Sequence, residues 1–138
     1  MAYDNDNIFA KILRDEAPAF RVYEDEFSLA FMDVMPQVDG HTLVVPKSAA
    51  ENLHDADPEV LGMTIRSVQT VAAAVKKAFE APGIMIAQLN GPAAGQTVFH
   101  LHFHILPRFE GVEFKMHARE MEDFAKLEAY AERIRAAL

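Results

Sequence analysis

Three histidines alternate with apolar residues near the end of the chain, at His100, His102 and His104. In an extended strand, side chains two residues apart point to the same face, so the three imidazoles would share one face. The residues between and beside them are all apolar: Phe99, Leu101, Phe103 and Ile105. A single histidine often only fills space, but three in register at positions that suit valine or threonine are not explained by packing. The pattern predicts a strand with one packed face and one polar, reactive face.

One interpretation of this histidine row is a metal site. Strand residues two apart are roughly 6.6 Å apart, which separates the Cα atoms of His100 and His104 by about 13 Å. Zinc holds histidine nitrogens at about 2.0–2.1 Å, so three histidines in a straight row share one ion poorly. Further ligands would have to come from His41, His54 or His117, and the sequence offers no suitable carboxylate or thiolate close by. The pattern therefore does not favour a metal.

Nucleophilic catalysis is the second interpretation, and it uses the imidazoles directly. Neutral imidazole is a good nucleophile near pH 7 because its ordinary pKa is about 6.5. A flanking imidazolium can stabilise the charge that develops on phosphate oxygens, and a neighbouring ring can orient the nucleophile. The row therefore suits a reaction at a phosphate group.

The loop before the row suits an anionic ligand. Gly91 and Gly95 permit backbone angles that let main-chain N–H groups approach an anion, and Gln96 and Thr97 add side-chain donors. Most such loops are plain turns, and it is the position directly before the histidine row that gives this one weight. Thr97 and His102 are an odd number of residues apart, so the chain must bend between them if both face one ligand.

Short strands and three helices are the elements that must position these residues. Apolar spacing predicts a helix over 8–14, a long helix from about 57 to 80, and an amphipathic helix from about 119 to the end. Asp57 followed by proline is a typical start for the long helix. Extended segments are predicted at 20–23, 28–34, 41–45, 84–89 and 98–107. The order of elements predicts an α+β domain, with a mainly antiparallel sheet of about five strands backed by the long helix.

Composition fits one globular domain and limits its partners. The chain has 138 residues, no cysteine and a formal net charge of −8. The lack of cysteine excludes disulfides and a cysteine nucleophile, and the acidic balance argues against broad nucleic-acid binding. No segment approaches the roughly 20 apolar residues of a membrane helix, and the polar, acidic start lacks the features of a secretory signal. We expect a cytoplasmic protein with neither a membrane nor a nucleic-acid partner.

The histidine row and its surroundings closely resemble the histidine-triad, or HIT, family. The family pattern is histidine-φ-histidine-φ-histidine-φ-φ, with φ apolar, and residues 100–106 match it in full. Similar stretches lie at 7–12, 29–34, 36–47 and 90–108. The resemblance extends from about residue 7 to 114. It implies that residues 1–138 form a single HIT domain, with residues 115–138 as a C-terminal helical extension.

This resemblance implies a function and a set of site residues. Members of the family bind purine nucleotides and form a covalent nucleotidyl-histidine intermediate without a metal, usually as homodimers whose two sheets join into a larger one. By match, His102 would be the nucleophile, with His104 and His41 assisting at the phosphate. His100 would support the row, and Asp33 would accept hydrogen bonds from the ribose hydroxyls. The base would lie against Phe9, Ile12, Phe31 and Val34. The phosphate oxygens would be held by Asn90, Gly95, Gln96 and Thr97. Thr97 would also help the leaving group. Packing in the core is an alternative explanation for the four apolar residues of the base wall.

One departure from the family concerns zinc. Many bacterial members bind a structural zinc through two cysteines near the N-terminus together with two histidines, but Asn7 and Ala10 stand at the cysteine positions here. Ser48 and Ala49 stand where a histidine usually follows the Pro-Lys pair. The resemblance therefore predicts neither a structural zinc nor another cofactor.

The choice of substrate within the family stays open from the sequence. Residues 106–108 followed by Gly111 and Phe114 resemble the dinucleoside-polyphosphate branch, and the tail after Phe114 does not match the short end of the phosphoramidase branch. Asp33 and the region of Asn90 instead favour the phosphoramidase branch. The leading hypothesis is a hydrolase that acts at the α-phosphate of AMP phosphoramidates or dinucleoside polyphosphates. The alternatives are a nucleotide-binding sensor or scaffold with little catalytic role, and a metal-dependent hydrolase. The remaining histidines are interpreted as surface residues: His54 and His117.

Overall fold

This computed structural model describes residues 2–112 and 120–138, which contain five strands and three α-helices. The first half of the chain contains α1 (Ile8–Leu13), β1 (Arg21–Glu24), β2 (Ser28–Met32) and β3 (Thr42–Pro46). The second half contains α2 (Pro58–Phe79), β4 (Gly83–Ala87), β5 (Phe103–Arg108) and α3 (Phe124–Ala137). A single 3-10 turn at Pro92–Ala94 lies in the loop between β4 and β5. Within the described residues, no helix is both long and apolar enough to cross a membrane.

The strands form one antiparallel sheet in the order β1-β2-β3-β5-β4. β5 therefore lies inside the sheet, between β3 and the edge strand β4. Its residue His104 is opposite Leu43 of β3 on one side and Ala87 of β4 on the other. The prediction of an α+β domain with about five mainly antiparallel strands is confirmed.

Hydrophobic residues cover both faces of the sheet. On one face a helix-side core packs against α2 and α3, and it includes Ala30, Val44, Phe103 and Ile105 from the sheet. On the other face a smaller α1-side cluster joins α1 to alternate residues of β2 and β3. It contains Phe9, Ile12, Leu29, Phe31, Leu43 and Val45. Because successive side chains of a strand point to opposite faces, burial on both sides explains why β2 and β3 are apolar almost throughout. His104 points away from Phe103 and Ile105, and therefore lies on the face that carries α1.

The strand predicted to carry all three histidines is shorter in the structure. β5 begins only after His102, so His100 and His102 precede the strand and only His104 lies within it. The backbone N–H of Leu101 donates instead to the carbonyl of Ala50, in the segment that follows β3, at 2.8 Å. The prediction of one regular strand through the row was wrong because alternation of apolar residues records burial, which an irregular segment can share.

The bounds of α1 and α2 agree with their predicted ranges, and Asp57 is the predicted cap of α2, whereas α3 begins later than predicted. Asp57 caps α2 by accepting a hydrogen bond from the backbone N–H of Glu59 at 2.8 Å. Asn7, at a cysteine position of the zinc-binding relatives, caps α1 by accepting from Ala10 N at 2.9 Å. α3 begins at Phe124 rather than near residue 119, and residue 119 lies outside the described residues.

Candidate active site

The ring of His102 is held in one orientation directly before β5. Its edge packs against Phe9, with ring centroids 4.9 Å apart and planes at 80°. Its Nδ1 lies 2.7 Å from the backbone carbonyl of His100. A carbonyl only accepts, so Nδ1 carries the proton and Nε2 of the neutral ring carries the lone pair. Nε2 of His102 has no hydrogen-bond partner in the described part of the chain. There, Ser28 Oγ is the one fully buried side-chain N or O atom without a partner. Nε2 of His102 is therefore not fully buried and stays accessible. A neutral ring with an accessible Nε2 lone pair can act as a nucleophile.

A chain of hydrogen bonds fixes the protons on two further rings. The backbone N–H of Gln37 donates to Nδ1 of His41 at 3.1 Å, which leaves the proton of His41 on Nε2. That Nε2–H donates to Nδ1 of His104 at 2.8 Å, which leaves the proton of His104 on its own Nε2. The rings of His104 and His102 have centroids 4.9 Å apart. His104 therefore presents an N–H donor beside His102, which is the polarity that a phosphate oxygen would require.

His100 is tied to two other parts of the chain. Its ring is 1% exposed, and its Nε2–H donates to the carbonyl of Pro46 at 2.8 Å. The hydroxyl of Tyr3 donates to Nδ1 of the same ring at 2.5 Å. His100 supports the row in this structure through its backbone carbonyl, which holds His102. Sequence reasoning missed both Tyr3 and the backbone of Gln37, because neither belongs to a motif or a periodic pattern.

One group in the described residues has the ligand types of a metal site: Asp33, His41 and His104, whose candidate ligand atoms lie within 4.8 Å of one another. Binding at Nε2 of His41 would move its proton to Nδ1, where the N–H of Gln37 already points. Nε2 of His41 and Nδ1 of His104 are 2.8 Å apart, whereas tetrahedral zinc separates its ligand nitrogens by about 3.3 Å. The group fits a chain of hydrogen bonds better than a metal site.

Burial keeps the histidine rings neutral. Loss of solvation, together with the neighbouring His104 and His102, lowers the pKa of His41 to about 3. Burial likewise lowers the pKa of His104 to about 4 and holds the pKa of His102 below its ordinary value. The carboxyl of Asp33 is partly buried, and its loss of solvation raises its pKa to about 6, against the opposing hydrogen bond from Met35 N. Near pH 7 the site therefore holds neutral imidazoles beside a mainly ionised carboxylate.

These shifts predict that the free energy of unfolding falls as the pH is lowered from 6.5 to 5. His41 and His104 have folded pKa values of about 3 and 4, against about 6.5 in an unfolded chain, so the unfolded chain binds more protons in this window. Asp33 opposes the trend, because its raised pKa makes the folded state bind the extra proton between about pH 4 and 6. Two groups outweigh one, so the net change is a loss of stability on acidification.

Urea unfolding at pH 6.5, 5.75 and 5.0 would measure this slope. The double variant His41→Asn/His104→Gln is expected to flatten it, since neither replacement titrates in the window. Wild-type stability that stays level or rises on acidification would contradict the prediction.

The structure gathers three of the four residues predicted to wall the base. Phe9, Ile12 and Phe31 lie together in the α1-side cluster, and the rings of Phe9 and Phe31 have centroids 5.4 Å apart. Val34 packs against the helix-side core instead. Asp33 follows β2, and its Oδ2 lies 3.5 Å from Nε2 of His41. The apolar residues and the carboxylate therefore flank the histidine cluster from the side of α1 and β2.

The side chains predicted to hold phosphate mainly bind their own loop and the segment that follows β3. Gln96 is 3% exposed, its Oε1 accepts from Gly91 N at 2.8 Å, and its Nε2 donates to the carbonyl of Glu51 at 2.7 Å. The side chain of Asn90 accepts from Leu53 N at 2.9 Å. Gly95 has φ of 102°, a left-handed conformation that suits glycine.

Thr97 is the exposed polar side chain of this group, and it has no hydrogen bond within the described residues. The bend that its odd spacing from His102 requires is present, since residues 98–100 bend and β5 starts later. Of the two remaining histidines, His54 is exposed, as predicted, and His117 lies outside the described residues.

Comparisons with known proteins identify the family to which this fold belongs. A profile of the HIT domain matches residues 14–111. The crystal structure of a Hit-like protein involved in cell-cycle regulation from Bartonella henselae, with an unknown ligand, has a TM-score of 0.93 and 55% identity, covering 99% of this chain and 100% of that one. Protein hit of Bacillus subtilis is 40% identical over 116 residues, 80% of each chain. The adenylylsulfatase HINT3 of Arabidopsis thaliana is 38% identical over 106 residues, 77% of this chain and 54% of that protein. By sequence profile, by pairwise identity and by fold, this chain belongs to the HIT family.

Proposed function

We propose that this HIT protein is a hydrolase that acts at the α-phosphate of purine nucleotide conjugates through a covalent nucleotidyl-histidine intermediate on His102. The observation that supports this most is the orientation of the His102 ring. Its Nδ1–H is held by the carbonyl of His100 at 2.7 Å, which leaves the Nε2 lone pair unpartnered in the described residues. A ring that served only in packing or binding would not need a fixed, accessible lone pair.

The reaction takes two steps. Nε2 of His102 attacks the α-phosphorus and forms an N–P bond, while the bond to the leaving group breaks and its electron pair departs with the leaving atom. That atom takes up a proton, relayed from solvent through the hydroxyl of Thr97. The ring becomes positively charged, and the carbonyl of His100 on its Nδ1–H stabilises that charge. Water then attacks phosphorus and gives up a proton to solvent, while the electron pair of the breaking N–P bond returns to Nε2, so the mononucleotide is released and His102 is neutral again.

The surrounding residues bind the rest of the nucleotide. The Nε2–H of His104 donates to a non-bridging phosphate oxygen, where it stabilises the charge of the transition state. The carboxylate of Asp33, mainly ionised at pH 7, accepts hydrogen bonds from the ribose hydroxyls. Phe9, Ile12 and Phe31 provide apolar contact for the purine base. The relative HINT3 is named an adenylylsulfatase, and that name supports a reaction at an adenylyl phosphate here.

We also propose that the protein is a homodimer in which β4 and α2 meet their copies. β4 is an edge strand, and its residue Ile86 is 42% exposed. Ile65 on α2 is 48% exposed. Large apolar side chains on an open edge and a neighbouring helix are typical of a surface that another chain covers. The cytoplasmic location and the lack of nucleic-acid partners stay predictions.

Kinetics on two substrates side by side would test the proposed activity. An AMP phosphoramidate and a diadenosine polyphosphate are incubated with the protein before and after exhaustive chelation, and AMP release is measured. We expect turnover of at least one substrate, at a rate that chelation does not change. Tight nucleotide binding without turnover would favour the sensor or scaffold alternative, and loss of activity on chelation would favour metal-dependent hydrolysis.

A further inference from the structure

A cavity of about 440 Å³ opens beside Thr97. Its polar walls are Asp4, Asn7, Glu51 and Thr97, and its apolar walls include Ile8 and Phe99. The ribose-binding candidate Asp33 and the base-binding candidates Ile12 and Phe31 do not line it. Its volume lies within the roughly 300–1,000 Å³ of small-molecule sites. The cavity therefore has room for a part of a substrate that the nucleotide pocket does not hold.

We propose that this cavity is the leaving-group subsite, and that it selects leaving groups that carry a positively charged amine on an alkyl chain. The inference rests on the proposed function and deepens it. In displacement at phosphorus, the leaving atom departs on the side opposite the nucleophile. Thr97, whose hydroxyl serves that atom, also lines the cavity. A group that leaves the phosphate past Thr97 therefore enters this space.

The charge of the lining residues determines which leaving groups fit. Asp4 and Glu51 are the charged residues among those that line the cavity, and both are acidic. Within the described residues neither Glu51 nor Asp4 forms an ion pair, and the carboxylate of Asp4 accepts only the backbone N–H of Asp6, at 2.9 Å. Uncompensated carboxylates attract an ammonium group and repel a polyphosphate chain. The apolar side chains of Ile8 and Phe99 provide contact for the methylene groups of an alkylamine.

Hydrogen bonds hold the segments that carry Asp4 and Glu51 beside the histidine row and Thr97. The hydroxyl of Tyr3 donates to Nδ1 of His100 at 2.5 Å, and the side chain of Asn7 donates to the carbonyl of Asp4 at 2.7 Å. The segment that carries Asp4 is thereby held against the histidine row. On the other side, the carbonyl of Glu51 accepts from Nε2 of Gln96 at 2.7 Å, next to Thr97. Tyr3 is therefore a positioning residue for this subsite, and the cavity is formed before a substrate binds.

Two adenosine 5′-phosphoramidates of equal length would test the inference. One is made from 1,5-diaminopentane, which ends in an ammonium group, and the other from hexylamine, which ends in a methyl group. We expect wild-type kcat/KM to be about tenfold higher for the diamine substrate, roughly threefold for each partly exposed carboxylate. In the variant Asp4→Asn/Glu51→Gln the ratio between the two substrates is expected to fall to about one. Tyr3→Phe is expected to lower the ratio, because the segment that carries Asp4 is no longer tied to His100.

The control variant is Glu132→Gln, which removes an exposed carboxylate from α3 and should leave the ratio unchanged. Equal kcat/KM for both substrates in the wild type would overturn the subsite and leave the proposed hydrolysis standing. A preference that persists in Asp4→Asn/Glu51→Gln would also overturn it. Hydrolysis of neither substrate, nor of diadenosine polyphosphate, would overturn the proposed function itself.

Discussion

Replacing His102 with alanine is expected to lower kcat by on the order of 10⁴-fold or more, while nucleotide binding stays measurable. Removal of a nucleophile eliminates the covalent route, and losses of this size or larger are typical when the attacking group of an enzyme is deleted. The base and ribose contacts do not pass through this ring, apart from its edge against Phe9. Steady-state hydrolysis of an AMP phosphoramidate and calorimetric titration with AMP would measure the two effects separately.

The matched control is His54→Ala, which deletes an exposed histidine and should keep wild-type kcat. Capture of the intermediate gives an independent readout. Wild-type protein, mixed with substrate and denatured within milliseconds at alkaline pH, should carry the nucleotide on His102, because a phosphorus bond to histidine is labile in acid. Turnover of His102→Ala at the wild-type rate, or an adduct mapped to a different histidine, would remove His102 from the mechanism.

The fold was predictable because its signals are local. Asp57 and the proline after it predicted the start of α2, and the structure shows the predicted cap. The apolar runs around Leu29 and Leu43 predicted strands. Burial on both faces of the sheet explains why apolar and polar residues hardly alternate in those runs. Each of these signals lies within a few residues of the element that it predicts, so no knowledge of the tertiary structure was needed.

The site was predictable in its residue types but not in its geometry. The spacing of the three histidines suggested one regular strand, whereas β5 starts after His102 because Leu101 pairs with Ala50 across the chain. The rings are consequently divided between two tasks. The rings of His102 and His104 meet edge to face with centroids 4.9 Å apart, and His100 turns towards Tyr3 and Pro46.

The proton positions were beyond sequence reasoning for a physical reason. They depend on contacts between distant segments, such as Tyr3 with His100, and on a main-chain donor, the N–H of Gln37. Every residue except proline has a main-chain N–H, so the residue type carries no information about where this donor points. Only the folded loop between β2 and β3 directs it at His41.

The second large effect is expected from His104→Ala, which should lower kcat by roughly 10²–10³-fold. Its Nε2–H is the donor beside His102, and removal of one such donor to a developing oxyanion typically costs a factor of this size. The variant His104→Gln keeps an N–H donor and is expected to recover part of the loss. Hydrolysis of an AMP phosphoramidate measures both, and wild-type kcat in His104→Ala would contradict the role of this ring.

His41 is a positioning residue in this scheme, and a double-mutant cycle separates that role from general stability. His41 touches the substrate only through His104, since its Nε2–H serves to hold Nδ1 of that ring at 2.8 Å. His41→Ala should therefore lower kcat in the wild-type background. It should lower kcat little further when His104 is already alanine, because the proton that His41 positions is then gone. A loss of folding stability would instead lower activity by the same factor in both backgrounds. Nitrogen chemical shifts of His104 give a second readout, since His41→Ala frees the ring to carry its proton on either nitrogen. Additive effects on kcat, with unchanged shifts, would show that the two rings act independently.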